Sequence, residues 1–543
     1  MDATPATSPV SPPPSAPLSG KRSSRPAASV GSVARWLLPS VGSLCLLLTL
    51  YLLLINAWRF LQDSDTGWHI RTGDLIRQTG TVPRHDVFSF TMPGREWFAW
   101  EWLTDVLMSW LHERAGLAGL VAAALTLLCL TYALLVRVMI ARGSDALVAC
   151  ALTILAALAS MVHWLARPHL ISPLLLLGWC ALIESWRRNR NEGGWRTRLI
   201  YATPLLLALW ANLHGAFVVT LPMLAIYAAG ETLEFISRRA LKSREFRRVI
   251  GTYLLVGVSS ALATLATPYG IRLYGHLWQY LTDSHLLARI QEFQSPDFHT
   301  VDGRLIEILL LLAFIAAARA LWQRRFIEIG LLLLWAHLVL QSERHITLAV
   351  IVMMPILAEH LSELLRAAAR GGAQAGRWRV ASDWYRGIMA IDRQLNGALI
   401  YLLVAAFLLT LMSGRAGVLT GSLLPAHFAE RKLPVAAAKF ISTANLRGNL
   451  YAPDQFGGYL IYRFYPQLKV FVDGRSDFYR TGPVFDEYLR VMTIRPDWAA
   501  ILDKYDVRWM LLRTDEPLLT VALATGQWVS IYHDGTAQVL IRK

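Results

Sequence analysis

Two aspartates, Asp63 and Asp65, stand directly after the first long apolar run of the chain, in LQDSDTGWHI. A carboxylate at a membrane–water boundary can serve as a general base. Partial desolvation raises its pKa toward a useful value, and a nearby cation counters the rise. Asp is also a preferred helix N-cap, so the pair could instead cap the helix that follows. His69 lies four residues after Asp65, so a helix there would put both on one face. A second polar set sits in very short connections between apolar runs: Arg167 and His169 in ARPH, His214 in NLHG, and Glu343, Arg344 and His345 in SERH. Glu292 and His299 fall in a longer connection. Ionisable groups at membrane depth are costly and often functional. Cations there suit a lipid phosphate or pyrophosphate, held by charge-assisted hydrogen bonds. Each alone could equally be a solvated or snorkelling side chain. As a set they predict one shared polar cavity, with Arg344 and His345 first, and Arg167 and His169 next, as holders of a phosphate. His69, Arg84, Glu101, His214 and Glu292 are candidate supporting residues.

The elements that must position these residues are membrane helices. The chain has 543 residues, 55% hydrophobic and 17% charged, with mean hydropathy +0.39. An ordinary soluble domain carries less apolar and more charged residue. Overall disorder and a disulfide-rich secreted scaffold are excluded. Cys45, Cys129, Cys150 and Cys180 all lie in apolar segments, with no CxxC or Cys/His metal spacing. Residues 1–34, rich in Pro, Ser and Ala, read as a disordered cytoplasmic tail. Apolar runs near 36–60, 116–138, 144–164, 168–186, 199–213, 215–236, 249–267, 305–321, 326–341, 345–365 and 396–413 give about eleven spans. The first is too long for a signal-peptide core and lacks a convincing cleavage site.

The formal net charge of +15 has a topological pattern. With the N-terminus in the cytoplasm, alternate connections carry Arg137 and Arg142; Arg187 through Arg198; Arg238 through Arg248; Arg319, Arg324 and Arg325; and Arg366 through Arg393. All fall inside, and the opposite connections are poor in surplus charge, so the orientation is N-in, C-out. The basic clusters therefore need no nucleic-acid partner. The region from Pro425 holds 15 Lys/Arg against 12 Asp/Glu and contributes little to the surplus.

The outer segments are a first loop (61–115), a second (268–304) and the C-terminal region from 414. In the first loop, DTGWHIRTGDLIRQ and EWLTDVLMSWLHER read as amphipathic helices lying on the outer surface. Trp68, Trp97, Trp100 and Trp102 suit an interfacial belt. In the C-terminal region, helices over PVAAAKFIST, VFDEYLRVM, PDWAAILDKYD and EPLLTVALATG alternate with strands over GNLYAP, KVFVDG, VRWMLL, WVSIYH and AQVLIR. That pattern predicts a small α/β domain with a partly parallel sheet. It has no glycine-rich nucleotide motif. Asp473, Arg475 and Asp477 follow a strand; they form either an Asp–Gly turn with a local ion pair or a contact for an acceptor. Tyr459, Tyr462, Phe464 and Tyr465 read as core and interface aromatics, or as a carbohydrate platform.

With its acidic pair after the first span, amphipathic loop helices and outer C-terminal domain, the chain resembles the GT-C superfamily of integral-membrane glycosyltransferases. More narrowly, DSDTGWHIRTGDLIRQTGTVPRHDVFSFT, EWL, ARPH, NLHG, TPYG, FGGYLIYRFYP and KVFVDGRSDFY resemble a group of bacterial membrane proteins assigned to it. The resemblance implies a polytopic α-helical fold (residues 35–413) with a small α/β domain (414–543). It implies an inverting transfer of a sugar from a polyprenyl-phosphate donor, at the outer face of the bacterial inner membrane. The acceptor would be a glycan, glycolipid or protein, with membrane lipids around it. Asp63 and Asp65 are the positions that match the family's acidic motif, and Asp65 is the expected base. No cofactor is clearly implied; a divalent metal at Asp63 and Asp65 is possible in such a family, but no third ligand is evident. Two other readings keep the same architecture: a non-catalytic envelope-glycan assembly subunit, and a transporter or flippase of lipid-linked glycans. A polar cavity joining Asp65 to Arg344 would favour the enzyme, and carboxylates turned to bulk water the scaffold.

Overall fold

A computed structural model of the protein describes residues 31–371, 376–413 and 423–543. Residues 1–30 of the expected tail lie outside the described residues, and a helix already begins at Ser32. Each expected apolar run is helical. Six helical segments are long and apolar enough to cross a membrane: Ser32–Ile55, Trp102–Ala141, Pro168–Asn189, Gly215–Ser237, Val301–Trp322 and Glu343–Ala369. Ala146–Ala159, Phe326–Gln341 and Ala398–Met412 are shorter apolar helices. The helix Trp102–Ala141, which begins within the first outer loop, is continuous apart from Gly116, whose φ of 62° breaks the helical geometry. A side chain is strained at that φ, which glycine adopts freely. The break divides a front half carrying Asp105 and Ser109 from the apolar half.

The basic connections collect at one end of the bundle, where Arg188 and Arg325 both reach Glu359, at 3.2 and 2.6 Å. The short polar turns collect at the other end. Here the first loop contributes the Asp65–Thr79 helix, closed at Gly80 in the left-handed region.

The C-terminal region carries a four-stranded sheet in the order β1 (Asn449–Tyr451), β2 (Val507–Arg513), β4 (Ala537–Arg542), β3 (Trp528–His533). β1 pairs parallel with β2, and β4 pairs antiparallel with β2 and β3. The sheet is thus partly parallel, as the helix–strand alternation implies. The expected strand KVFVDG is a correction. It stays outside the sheet because its pairing partner is the first loop: Val470 bridges Ser89, exchanging Phe90 N–H to Val470 O at 3.1 Å and Val470 N–H to Phe88 O at 3.0 Å.

Other bonds join the C-terminal region to the loop. Arg71 Nε and Nη2 donate to the Tyr462 carbonyl at 2.9 and 2.6 Å, and Ala429 N–H donates to Leu61 O at 3.0 Å. Arg475, 2% exposed, binds Asp473 through Nε and Nη2 at 2.8 and 2.7 Å and reaches Asp86 of the loop at 2.8 Å. Its guanidinium lies 4.5 Å from the Trp97 ring centre. Trp97 (2% exposed) and Trp68 (7%) are therefore packed under the C-terminal region, not spread in an interfacial belt. A buried guanidinium stacked on an indole gains cation–π attraction that an exposed tryptophan would forgo.

Candidate active site

Asp63 ends the turn after the first helix, and Asp65 opens the next one. Neither aspartate is the helix N-cap, which is Ser64, but Asp63 Oδ1 accepts the Asp65 N–H at 2.9 Å just ahead of the helix. Its Oδ2 accepts from Arg167 Nη1 at 2.8 Å. Arg167 Nη2 lies 2.9 Å from Asp65 Oδ2, and Nη1 also reaches Glu292 Oε1 at 3.2 Å. One guanidinium thus serves three carboxylates. Burial opposes its charge, but Asp63 and Asp65 hold it firmly cationic. Behind Asp65 stands Gly474: a Cβ there would fall 2.0 Å from Asp65 Oδ1. The carboxylate is fitted against bare backbone.

Three carboxylates around one guanidinium leave excess negative charge, and the most deeply buried group carries the proton most readily. Burial raises Asp65 to about 8; Arg167 opposes this, and Asp63 and Glu292 reinforce it. Burial would also raise Glu292, but Arg167 and Arg344 overcome it and hold Glu292 at about 2. Arg344 approaches Glu292 only at 3.9 Å and the Tyr280 hydroxyl at 3.5 Å, so it is the loosely held cation of the group.

Asp63, Asp65, Arg167, Glu292 and Arg344 line one cavity of about 920 Å³. At Glu101, Arg167, Glu292 and Arg344 it meets a narrower lobe of about 160 Å³, whose further walls include Val218, Val219, Leu277, Leu281 and Leu348. His69, His169, His214 and His345 line this lobe. His169 Nε2 faces the His163 carbonyl at 3.0 Å and His345 Nδ1 the Leu338 carbonyl at 3.0 Å, so each donates its N–H there.

Glu101 is held by a chain of neutral donors. Trp210 Nε1–H donates to Ser172 Oγ at 2.9 Å, and the Ser172 hydroxyl donates to His214 Nδ1 at 2.8 Å. Ala216 N–H also donates to that Nδ1, at 3.2 Å, which leaves the proton on Nε2, 3.3 Å from Glu101 Oε1. Burial raises Glu101 to about 7. His69 turns away from Asp65: its Nδ1 lies 2.6 Å from Asp105 Oδ1, and burial keeps the imidazole neutral.

The structure therefore joins Asp63, Asp65, Arg167, Glu292, Arg344, Glu101, His69, His169, His214 and His345 around two connected spaces. Arg84 is elsewhere: it is exposed and donates to the Pro268 carbonyl at 3.2 Å. His299 is exposed and lines neither space. Asp473 is buried and ion-paired with Arg475, and Arg475 also lines the larger cavity. His163 and Tyr280, which the sequence does not single out, line both spaces, as does Trp100, which it offers only as an interfacial aromatic. His163 precedes ARPH by a few residues and carries a weak signal; Tyr280, inside an amphipathic helix, carries none. Among the described residues no group of three His, Cys, Asp or Glu side chains converges to hold a metal. Arg167 occupies the space between Asp63 and Asp65 where a divalent ion would sit, so the pair does not fit that role.

No protein-family model matches the sequence, and no curated protein matches it. Among solved structures the chain is similar to the Archaeoglobus fulgidus oligosaccharyltransferase in its apo form. The TM-score is 0.51 at 12% identity, over 87% of this chain and 69% of that one. ArnT from Cupriavidus metallidurans matches at TM-score 0.44 in the apo state and 0.43 bound to undecaprenyl phosphate. Both are 15% identical and cover 97% of that chain, with 92% and 91% of this one. At 12% identity the likeness to the oligosaccharyltransferase is one of fold.

Proposed function

We propose that this chain transfers a sugar from a polyprenyl-phosphate donor to an acceptor hydroxyl on the non-cytoplasmic face of a bacterial inner membrane. One observation carries the reading: a single cavity holds Asp65 together with Arg344 and continues into an apolar lobe. A polyprenyl phosphate is an apolar chain ending in an anion. The lobe matches the chain, and Arg344 at its junction matches the anion. The oligosaccharyltransferase-like fold and the N-in orientation given by the basic connections agree with this.

In this scheme the acceptor oxygen attacks the anomeric carbon while Asp65 takes its proton. The bond from that carbon to the phosphate oxygen breaks on the opposite side, and its electron pair leaves with the polyprenyl phosphate. The anomeric centre inverts. Arg344 stabilises the charge developing on the departing phosphate. Arg167 fixes Asp63 and Asp65 and sets how readily Asp65 ionises. Gly474 and the Trp210–Ser172–His214–Glu101 chain keep the walls rigid, which holds the reacting groups in line.

The test is Asp65→Asn in the purified chain, with polyprenyl-phosphate sugar as donor and an envelope extract as acceptor source. Transfer is lost, while donor binding and thermal stability stay near wild type. Unimpaired turnover by Asp65→Asn would sink the assignment. Glycan profiles of a deletion strain identical to wild type would favour the assembly-subunit reading.

A further inference from the structure

Part of the large cavity's wall is not shared with the apolar lobe, and its chemistry differs. Trp58, Arg59 and Gln62 line it from the turn after the first span, and Arg431 and Lys432 line it from the C-terminal region. The Ala429–Leu61 backbone bond ties these two segments together. Trp58 is 50% exposed and follows a helix whose outward residues, Leu44, Leu48, Tyr51 and Ile55, are also exposed. That apolar face meets lipid, so the tryptophan marks headgroup depth.

The other arginines of this cavity have carboxylate neighbours: Arg167, Arg344 and Arg475 as described, and Arg513 with Asp515 at 2.9 Å. Among the described residues no carboxylate lies within 4.0 Å of Arg59, Arg431 or Lys432. Arg59 rests against the Trp58 ring at 4.9 Å. Three cations without a carboxylate partner thus border the cavity where it meets the headgroup layer, and Asp65 lines the same cavity.

Building on the glycosyltransferase reading, we propose that this mouth admits the acceptor, and that the acceptor is a membrane lipid with an anionic headgroup. A donor held at Arg344 and an acceptor entering past Arg59 approach Asp65 from different walls of one cavity. In-line displacement requires two separate approaches of this kind. A neutral or water-borne acceptor has no use for cations placed beside a lipid-facing helix, whereas a phosphate-bearing headgroup gains attraction from each.

The experiment uses the full chain in phosphatidylcholine nanodiscs, with phosphatidylglycerol as the anionic probe and native mass spectrometry as readout. Wild type retains phosphatidylglycerol over phosphatidylcholine. The combined Arg59→Gln, Arg431→Gln, Lys432→Gln variant loses this preference by about 10- to 100-fold, while Arg59→Lys with Arg431→Lys keeps most of it. Undecaprenyl phosphate binding, read in the same samples, stays unchanged. With envelope lipids as acceptor, the triple Gln variant raises the acceptor KM and not the donor KM. No headgroup preference in wild type, or full preference in the triple variant, overturns the proposal and leaves the transferase reading standing. A lost preference in the triple variant together with normal transfer by Asp65→Asn upholds the lipid mouth and removes the assigned base.

Discussion

Arg167→Gln tests the electrostatic core of the site. In wild type Arg167 lies 2.8 Å from Asp63, 2.9 Å from Asp65 and 3.2 Å from Glu292. Asp65 stands at about 8 with that cation in place. On the proposed reading Asp65 is the base and works only when ionised, so the rate is expected to rise with pH and level off above about 8, with about a tenth of the chains competent at pH 7. Removing the guanidinium leaves three carboxylates sharing a buried space, with Arg344 near Glu292 alone. Loss of an adjacent opposite charge moves a carboxyl midpoint up by about 1 to 3 pH units. The rate at pH 7 therefore falls about 10- to 1,000-fold, and much of it returns on going to alkaline pH. Arg167→Lys keeps a charge but not the fork that spans two carboxylates, and lies between. The assay is transfer of labelled sugar as a function of pH, with donor binding measured alongside. A midpoint that stays in place or moves to lower pH in Arg167→Gln would refute the shared-guanidinium argument.

Three further outcomes follow from the same geometry. Gly474→Ala puts a methyl 2.0 Å from Asp65 Oδ1 and displaces the base; transfer drops by about 100-fold with donor binding intact, and unchanged turnover would contradict the fitted contact. Glu292 is held at about 2, below the usual carboxylate range, so its contribution to stability is complete above that range and is lost as pH falls toward 2. Glu292→Gln flattens the acid side of a melting-temperature series, and an unaltered acid limb would count against the pairing. Arg475→Ala strands Asp473 and Asp86 in the interior and costs about 3–5 kcal/mol, seen as a lower Tm; a cost under about 1 kcal/mol would mean the pair is effectively solvated.

Much of the fold was legible because its signals are local. Apolar runs long enough to be membrane helices, and the helix–strand alternation of the last hundred or so residues, depend only on neighbours in sequence. KVFVDG failed as a sheet strand for the complementary reason: strand pairing is decided by a distant partner, and Ser89 lies far back in the chain. The tryptophans misled in the same way. Trp68 and Trp97 have an interfacial composition, but the segment that buries them comes much later in sequence, at Arg475. His69 shares a helix with Asp65, yet its bond runs to Asp105, a choice that helical spacing does not encode.

The sequence alone determined that this is a polytopic membrane protein and which connections are basic, and it singled out Asp63 and Asp65 and the short turns at Arg167, His214 and Arg344 as candidates for the chemistry. Residue type, hydropathy and order along the chain suffice for that. Only the tertiary structure decided what each charge does. It made Arg167 the partner of three carboxylates and left Arg344 loosely held beside an apolar lobe. It also sealed Asp473 with Arg475 and placed Gly474 against Asp65. The physical reason is that pKa, ion pairing and burial depend on distances of a few ångströms between residues many tens or hundreds of positions apart, and those distances exist only once the chain is packed.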